Sequence, residues 1–227
     1  MFTGIVHARG RIHSIERNDF GARLTIDGRG WPDPKVYRPV PGDSICVSGV
    51  CLTVVETSGG VGGVLAFDVI AETLAKSSLG ELKEGDAVNL EPPVTANQPL
   101  GGHFMQGHVD GVGEVTHVQA GNDEHRITVK PPADLMAYII PKGSIAIDGV
   151  SLTIAAVMED RFDVALIPTT LDLTTLGDTT VGRRVNLEAD IISKAVVYQL
   201  ARLRDTDVKG PGLTMRMLRD AGFYDPP

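Results

Sequence analysis

The sequence predicts an all-β fold: two tandem six-stranded Greek-key-like β-barrels followed by a C-terminal amphipathic α-helix. The chain repeats itself at a spacing of about one hundred residues, and each copy is a series of short apolar runs punctuated by Gly, Pro and Asp. The tail alone carries the three-and-four spacing of an amphipathic helix.

The repeat is clearest in Ser44-Ile45-Cys46-Val47-Ser48-Gly49-Val50-Cys51-Leu52-Thr53-Val54, which returns as Ser144-Ile145-Ala146-Ile147-Asp148-Gly149-Val150-Ser151-Leu152-Thr153-Ile154. Six of the eleven positions are identical and two more exchange Val for Ile. The correspondence continues in order. Thr73-Leu74 and Leu79-Gly80 match Thr170-Leu171 and Leu176-Gly177, and Val88-Asn89-Leu90-Glu91 matches Val185-Asn186-Leu187-Glu188. Gly4, Val6 and Gly10 align with Gly107, Val109 and Gly113. The expected domains are therefore 1–97 and 98–189, joined through a polar, Pro-rich stretch, with 190–227 as helix and tail.

Strand-like runs fall at 23–26, 44–47, 52–55, 64–70 and 87–90, then at 113–118, 126–129, 144–147, 152–157, 162–167 and 184–187. About six short strands per half fit a closed barrel, which leaves no exposed edge. Ser48-Gly49 and Asp148-Gly149 read as tight turns between paired runs. Short helical pieces are expected at 74–82, 135–140 and 171–177. Ile192, Ala195, Val196, Gln199, Leu200 and Leu203 give the tail helix, and 213–218 a second short one. The tail stripe must be buried, either on its own barrels or on copies of itself, and physics alone leaves both open.

A chain of 227 residues accommodates two domains of about 100 each. Hydrophobic residues make up 42% and charged residues 22%, the composition of a soluble globular protein. A net charge of −8 with scattered cations argues against nucleic acid as a partner. Neither a membrane-spanning run, a basic amphipathic face nor a secretory signal is read in the sequence, so no membrane association and a cytoplasmic location are expected. Cys46 and Cys51, read as lying on one strand, would point to opposite faces and stay free thiols. No zinc spacing, G-x-G-x-x-G or P-loop occurs, and no metal or cofactor is expected.

The polar residues kept in both halves are Thr53 with Thr153 and Thr73 with Thr170, hydroxyls near strand ends where backbone groups are free for a polyhydroxyl chain or planar heterocycle. The differences are more informative. Cys51 becomes Ser151, and Ser48 becomes Asp148, so a Ser–Asp pair capable of nucleophilic or proton-transfer work occurs in the second half alone. Asp148-Gly149 also reads as a plain turn dipeptide. His103 and His108 would fall on opposite faces of a strand, which disfavours a metal. His108, between Gly107 and Gly111, is the better substrate-orienting or basic group. No G-x-S-x-G elbow supports a hydrolase.

Met1-Phe2-Thr3-Gly4-Ile5-Val6, Gly49-Val50-Cys51-Leu52-Thr53, Gly101-Gly102-His103 with Gly107-His108-Val109-Asp110, and Lys142-Gly143-Ser144 with Asp148-Gly149-Val150-Ser151-Leu152-Thr153 together resemble the riboflavin synthase family. The resemblance runs in order from residue 1 to about 200, duplication and tail helix included. It implies one 6,7-dimethyl-8-ribityllumazine per barrel, a homotrimer supported by the C-terminal helix, and active sites between the N-terminal barrel of one subunit and the C-terminal barrel of its neighbour. A four-carbon unit would pass between two lumazines, giving riboflavin and 5-amino-6-ribitylamino-2,4-pyrimidinedione.

Carried over by motif, one lumazine would meet Gly4, Ile5, Val6, Ser151, Leu152, Thr153, Leu166, Ile167, Pro168, Thr169, Thr170 and Leu171. The other would meet Cys51, Leu52, Thr53, Asp68, Val69, Ile70, Ala71, Glu72, Thr73, Gly107, His108, Val109 and Lys142, with Ser44 a further contact. Ser151 and Asp148 would assist addition and proton transfer, His108 would move a proton, and Cys51 and Lys142 would shape the interface. Phe2 would help pack the substrate pair. Thr169 stands where relatives often carry Glu or His, which puts one ribityl contact in doubt. The rival expectation is a non-catalytic lumazine or flavin carrier, which would be expected to lose catalytic side chains that this chain keeps. A flavin-binding barrel of an electron-transfer enzyme would need a nucleotide-binding partner domain.

Overall fold

The computed structural model describes residues 1–28, 31, 37–58, 63–121, 125–205 and 215–220. Its first barrel closes in the order β1 (Ala8–Asn18), β2 (Gly21–Asp27), β5 (Val64–Ile70), β4 (Val50–Ser58), β3 (Ser44–Val47) and β6 (Ala87–Glu91). The second barrel has the same cyclic order: β7 (Gly111–Ala120), β8 (His125–Lys130), β11 (Phe162–Leu166), β10 (Val150–Val157), β9 (Ser144–Ile147) and β12 (Arg184–Ala189). All the pairings are antiparallel, and β2 joins β5 across the intervening hairpin. Identical topology is what the sequence repeat requires.

Each barrel closes because one face of each strand is apolar. Ile12, Leu24, Ile26, Ile45, Val47, Leu52 and Phe67 fill the first. Val115, Ile127, Val129, Ile145, Ile147, Phe162 and Val164 fill the second. Truncating Phe67 or Phe162 to Ala would cost about 3–5 kcal/mol through the cavity left behind. The strands also coil at matching irregularities. Register slips between Ile12 and Ser14 and between Val54 and Glu56, and again between Val115 and His117 and between Ile154 and Ala156. An irregularity at the same two places in each barrel bends both sheets toward closure.

β1 was not among the expected strands. Its run Ala-Arg-Gly-Arg-Ile-His-Ser-Ile-Glu-Arg-Asn offers few apolar residues, yet it pairs with both β2 and β6 and is the longest strand of the fold. The two dipeptide turns form as expected, with Ser48 at φ 44° and Asp148 at φ 46°, the left-handed geometry of a two-residue hairpin. That turn also corrects the cysteines. It places Cys46 on β3 and Cys51 on β4 as direct cross-strand partners, not on one strand, and both are free thiols.

Helices are few. α1 (Ala71–Lys76) follows β5 and α2 (Pro168–Leu173) follows β11, each continuing into a 3₁₀ turn, Ser78–Glu81 and Thr175–Asp178; a third 3₁₀ turn is Ala133–Tyr138. The tail contains α3 (Ile191–Asp205) and α4 (Met215–Asp220). Residues 213 and 214 of the expected second tail helix lie outside the described residues. Among the described residues no helix is long and apolar enough to cross a membrane.

The barrels meet around a pseudo-twofold relation. Phe2, Met105, Cys46 and Ala146 form a small apolar core between them, and Phe2 and Met105 exchange backbone hydrogen bonds of 2.9 and 3.1 Å. Asn89 of β6 donates from Nδ2 to the Asp148 carbonyl at 2.8 Å and accepts the Thr175 N–H at 2.8 Å. Asn186 of β12 does the reciprocal, donating to the Ser48 carbonyl at 2.8 Å and accepting the Ser78 N–H at 2.7 Å. Two buried amides thus pin each barrel to the hairpin turn of the other, and each of their polar groups is satisfied.

Candidate functional site

The site is built from the end of the β3–β4 hairpin, the start of α1 and a short stretch before β7. Together they enclose a cavity of about 240 Å³ lined by Val50, Cys51, Ile70, Glu72, Thr73, Lys76, Ser77, Gly107, His108 and Val109. Apolar Val50, Ile70 and Val109 can cover a flat ring. The Thr73 hydroxyl and the Glu72–Lys76 pair, 2.8 Å apart on the exposed face of α1, can meet a polar chain. Cys51 is half-buried and His108 is exposed.

Residues 105–109 come from the second half but lie on the first barrel. The Cys51 N–H donates to the Gly107 carbonyl at 2.8 Å, and Val109 packs on the first barrel's core. The approach demands glycine. Gly107 has φ +76°, and a Cβ there would stand 2.6 Å from the Cys51 Cβ. The mirror arrangement holds at the other barrel. The Ser151 N–H donates to the Gly4 carbonyl at 2.9 Å, Val6 packs on the second barrel's core, and Gly4 has φ +79° with Ser151 where a Cβ would go. Ile5 and Ile167 stand exposed beside Ser151's strand as His108 and Ile70 do beside Cys51's.

The Ser151 site has a feature that the spacing in the sequence does not reveal. His103 Nδ1 lies 2.7 Å from Ser151 Oγ, and the His103 N–H donates to the Thr3 carbonyl at 3.1 Å. The imidazole is buried, and its Nε2 has no hydrogen-bond partner among the described residues. Burial pushes the His103 pKa below its ordinary 6.5, against the opposing pull of Asp190. A neutral imidazole bonded to a hydroxyl can take or return that hydroxyl's proton. Sequence spacing had favoured His108; the fold gives Ser151 to His103 and leaves His108 beside Cys51.

Several expected site residues are placed elsewhere. Asp148 does not serve Ser151. Its carboxylate is buried in the turn, accepting the Asn186 N–H at 2.8 Å and pairing with Arg183 Nη2 at 2.7 Å. Burial pushes its pKa up, while Arg183 and the Asn186 N–H hold it down. Phe2 is fully buried between the barrels, so it packs the interface of the two domains rather than a substrate pair. Leu52, Val69, Leu152 and Leu166 point into barrel cores, because strand alternation turns them away from Cys51, Ile70, Ser151 and Ile167.

Thr53 and Thr153 are exposed, paired across their hairpins with Ser44 and Ser144, on the same strand face as Cys51 and Ser151. Asp68 is held by Arg23 at 2.9 Å on the outer face, and Ala71 opens α1. Pro168 and Thr169 are exposed at the start of α2, followed by half-buried Thr170 and Leu171. Lys142 is exposed on the turn before β9, its N–H bonded to the Ile154 carbonyl at 2.9 Å, and it does not line the cavity. Among the described residues no cluster of three or more His, Cys, Asp or Glu side chains could hold a metal.

Two barrels of one topology, each with a Gly-bounded site at the same hairpin, define a duplicated small-ligand-binding protein. The sequence profile of the lumazine binding domain matches it twice, over residues 3–92 and 106–190. The chain belongs to the riboflavin synthase family. It is 46% identical over 200 residues to the riboflavin synthase of Mycobacterium tuberculosis, covering 86% of this chain and 96% of that one. It is 39% identical over 216 residues to that of Escherichia coli, covering 93% and 99%. The match to the Bacillus subtilis riboflavin synthase is 37% over 224 residues, covering 98% and 100%. Among solved structures, LumP complexed with riboflavin superposes with a TM-score of 0.74 at 32% identity, covering 83% of this chain and 99% of that one. LumP complexed with 6,7-dimethyl-8-(1'-D-ribityl) lumazine gives a TM-score of 0.73 at 30% identity over the same shares.

Proposed function

We propose that the chain is a riboflavin synthase, a transferase in which two 6,7-dimethyl-8-ribityllumazine molecules dismutate by four-carbon transfer to riboflavin and 5-amino-6-ribitylamino-2,4-pyrimidinedione. The observation that carries this reading is the pair of equivalent sites with unequal chemistry: Cys51 with His108 at one, Ser151 with His103 at the other. Two identical molecules that must play different parts need one binding frame presented twice and different reacting groups. Each lumazine-binding domain, with working boundaries of 1–97 and 98–189, supplies one frame.

Ser151, polarised by His103, adds to the electron-poor ring carbon of one lumazine or directs water to it, and His103 takes the hydroxyl proton. His108 moves the proton of the acidic methyl group at the other site, with Cys51 against the ring. Thr73 and Thr170 receive the ribityl chains. Holding the two rings in register supplies several kcal/mol, on the order of the translational and rotational entropy that a bimolecular encounter loses. The complete site forms between barrels of neighbouring subunits in a homotrimer, where the exposed Lys142 meets the edge of the second ligand. The protein works in the cytoplasm.

The test is turnover by the purified chain. Mixed with the lumazine alone, without metal or nucleotide, it produces riboflavin absorbance and fluorescence as lumazine is consumed. Binding of lumazine with no riboflavin formed would make it a carrier instead.

A further inference from the structure

The first segment of each half stands on the wrong barrel. Residues 3–6 reach the second barrel, where the Gly4 carbonyl meets Ser151, and the chain rejoins its own barrel when the His7 N–H bonds the Leu90 carbonyl at 2.9 Å. Residues 105–109 reach the first barrel and rejoin the second when the Asp110 N–H bonds the Leu187 carbonyl at 2.8 Å. A buried carboxylate at the end of each half's last strand holds its segment in place. Glu91, closing β6, accepts the Thr3 N–H at 2.7 Å, the Thr3 hydroxyl at 2.8 Å and the Gly4 N–H at 3.0 Å. Glu188, near the end of β12, accepts the N–H groups of Gln106, Gly107 and His108 at 2.7, 2.9 and 3.1 Å.

The chemistry of these contacts is specific. A carboxylate is acceptor-only, so its two oxygens can gather converging donors and hold a tight, left-handed turn in one shape. Hydrogen bonds to an ionised acceptor are also stronger than neutral ones. An amide of the same size would turn a donor toward an N–H that is itself a donor. Both carboxylates are buried, 3% and 2% exposed, so they act on the segment rather than on a ligand.

We propose that Glu91 and Glu188 are crossed positioning residues: Glu188 of the second barrel shapes the ligand site on the first, and Glu91 of the first shapes the site on the second. Neither barrel then owns a complete site, which ties the tandem arrangement itself to function. This rests on the reading that each barrel binds one lumazine or flavin.

Amide hydrogen exchange of the full chain, titrated with riboflavin as a probe that does not turn over, resolves the two sites. Protection of residues 71–76 reports the first barrel's site, and protection of 168–173 reports the second's. In Glu188→Gln the riboflavin concentration needed to protect 71–76 rises at least about tenfold, while 168–173 responds as in the unaltered chain; Glu91→Gln gives the reverse. Glu188→Asp and Glu91→Asp, which keep the charge on a shorter arm, show the same crossed pattern at smaller size and serve if a Gln variant fails to fold. Loss at the substituted residue's own barrel, or equal loss at both, overturns the inference and leaves the two-site reading intact. An unaltered chain protected at neither helix overturns both.

Discussion

The imidazole of His103 and the hydroxyl of Ser151 are 2.7 Å apart, although 48 residues separate them in the chain. His103 arrives on the loop before the second half begins its barrel, and Ser151 sits just past that barrel's hairpin turn. Burial disfavours the charged imidazole and lowers its pKa. The pair has the geometry of a hydroxyl with its own base, and it is the feature that most separates the second site from the first.

Removing either partner should therefore slow chemistry more than it weakens binding. Ser151→Ala and His103→Gln are each expected to lower kcat about a hundredfold or more, the usual worth of a positioned base. Riboflavin affinity, measured by fluorescence quenching, should stay within a few-fold of the unaltered chain. Because the two act as a unit, the double variant should be little worse than either single one.

The same pair predicts a pH profile. The unfolded chain's histidine titrates near 6.5, and burial lowers the folded value beneath it. Below 6.5 the unfolded chain binds a proton that folded His103 resists, so the stability contributed by the neutral imidazole is whole above 6.5 and is lost as pH falls through the folded value. Activity should follow the same direction. The acid limb of kcat/KM should lie below pH 6.5 and be absent from the residual rate of His103→Gln; an unchanged limb in that variant would remove His103 from the mechanism.

Asp148 should matter for stability rather than for chemistry. Asp148→Ala leaves Arg183 and the Asn186 N–H without their buried partner and is expected to cost about 3–5 kcal/mol. Asp148→Ser copies the first half, where the Ser48 hydroxyl accepts the Asn89 N–H at 3.1 Å, and should cost less. Thermal melting orders the two, and the folded fraction of each should turn over at close to the usual rate.

Gly107→Ala tests the crossed segment directly. A methyl group there adds about 1–2 kcal/mol of backbone strain at positive φ and meets Cys51 at 2.6 Å. The expected outcome is loss of ligand at the first barrel with the second retained, read by the stoichiometry of riboflavin binding. Gly4→Ala should do the converse at Ser151.

Much of this was legible in the sequence because duplication exposes which residues are equivalent. The hairpins at 44–54 and 144–154 gave both barrels their frame, and alternation located most strands. β1 is not evident from pattern because Arg9, Arg11, His13 and Glu16 hide its apolar face. Proximity in the sequence suggests a partnership of Asp148 with Ser151 that the fold does not make. Asp148 lies three residues from Ser151, but a turn intervenes and sends its carboxylate to Asn186. The crossing of residues 3–6 and 105–109 was not legible at all, since hydrophobic pattern says that an edge segment packs and not on which barrel. The role of His103 is hidden in the sequence for the same reason: its partner is fixed by that crossing.

In the proposed reaction two identical lumazines take unequal parts, one giving up four carbons and the other receiving them. Isotope transfer distinguishes the giver from the receiver. The purified chain is given an equimolar mixture of unlabelled lumazine and lumazine carrying ¹³C in the four-carbon unit, and products are resolved by mass spectrometry. Riboflavin molecules with one labelled and one unlabelled unit are expected to be the commonest flavin species, with pyrimidinedione free of label formed in an amount equal to the total riboflavin. Riboflavin without mixed labelling, label retained in the pyrimidinedione, or bound lumazine recovered unchanged would contradict that reaction.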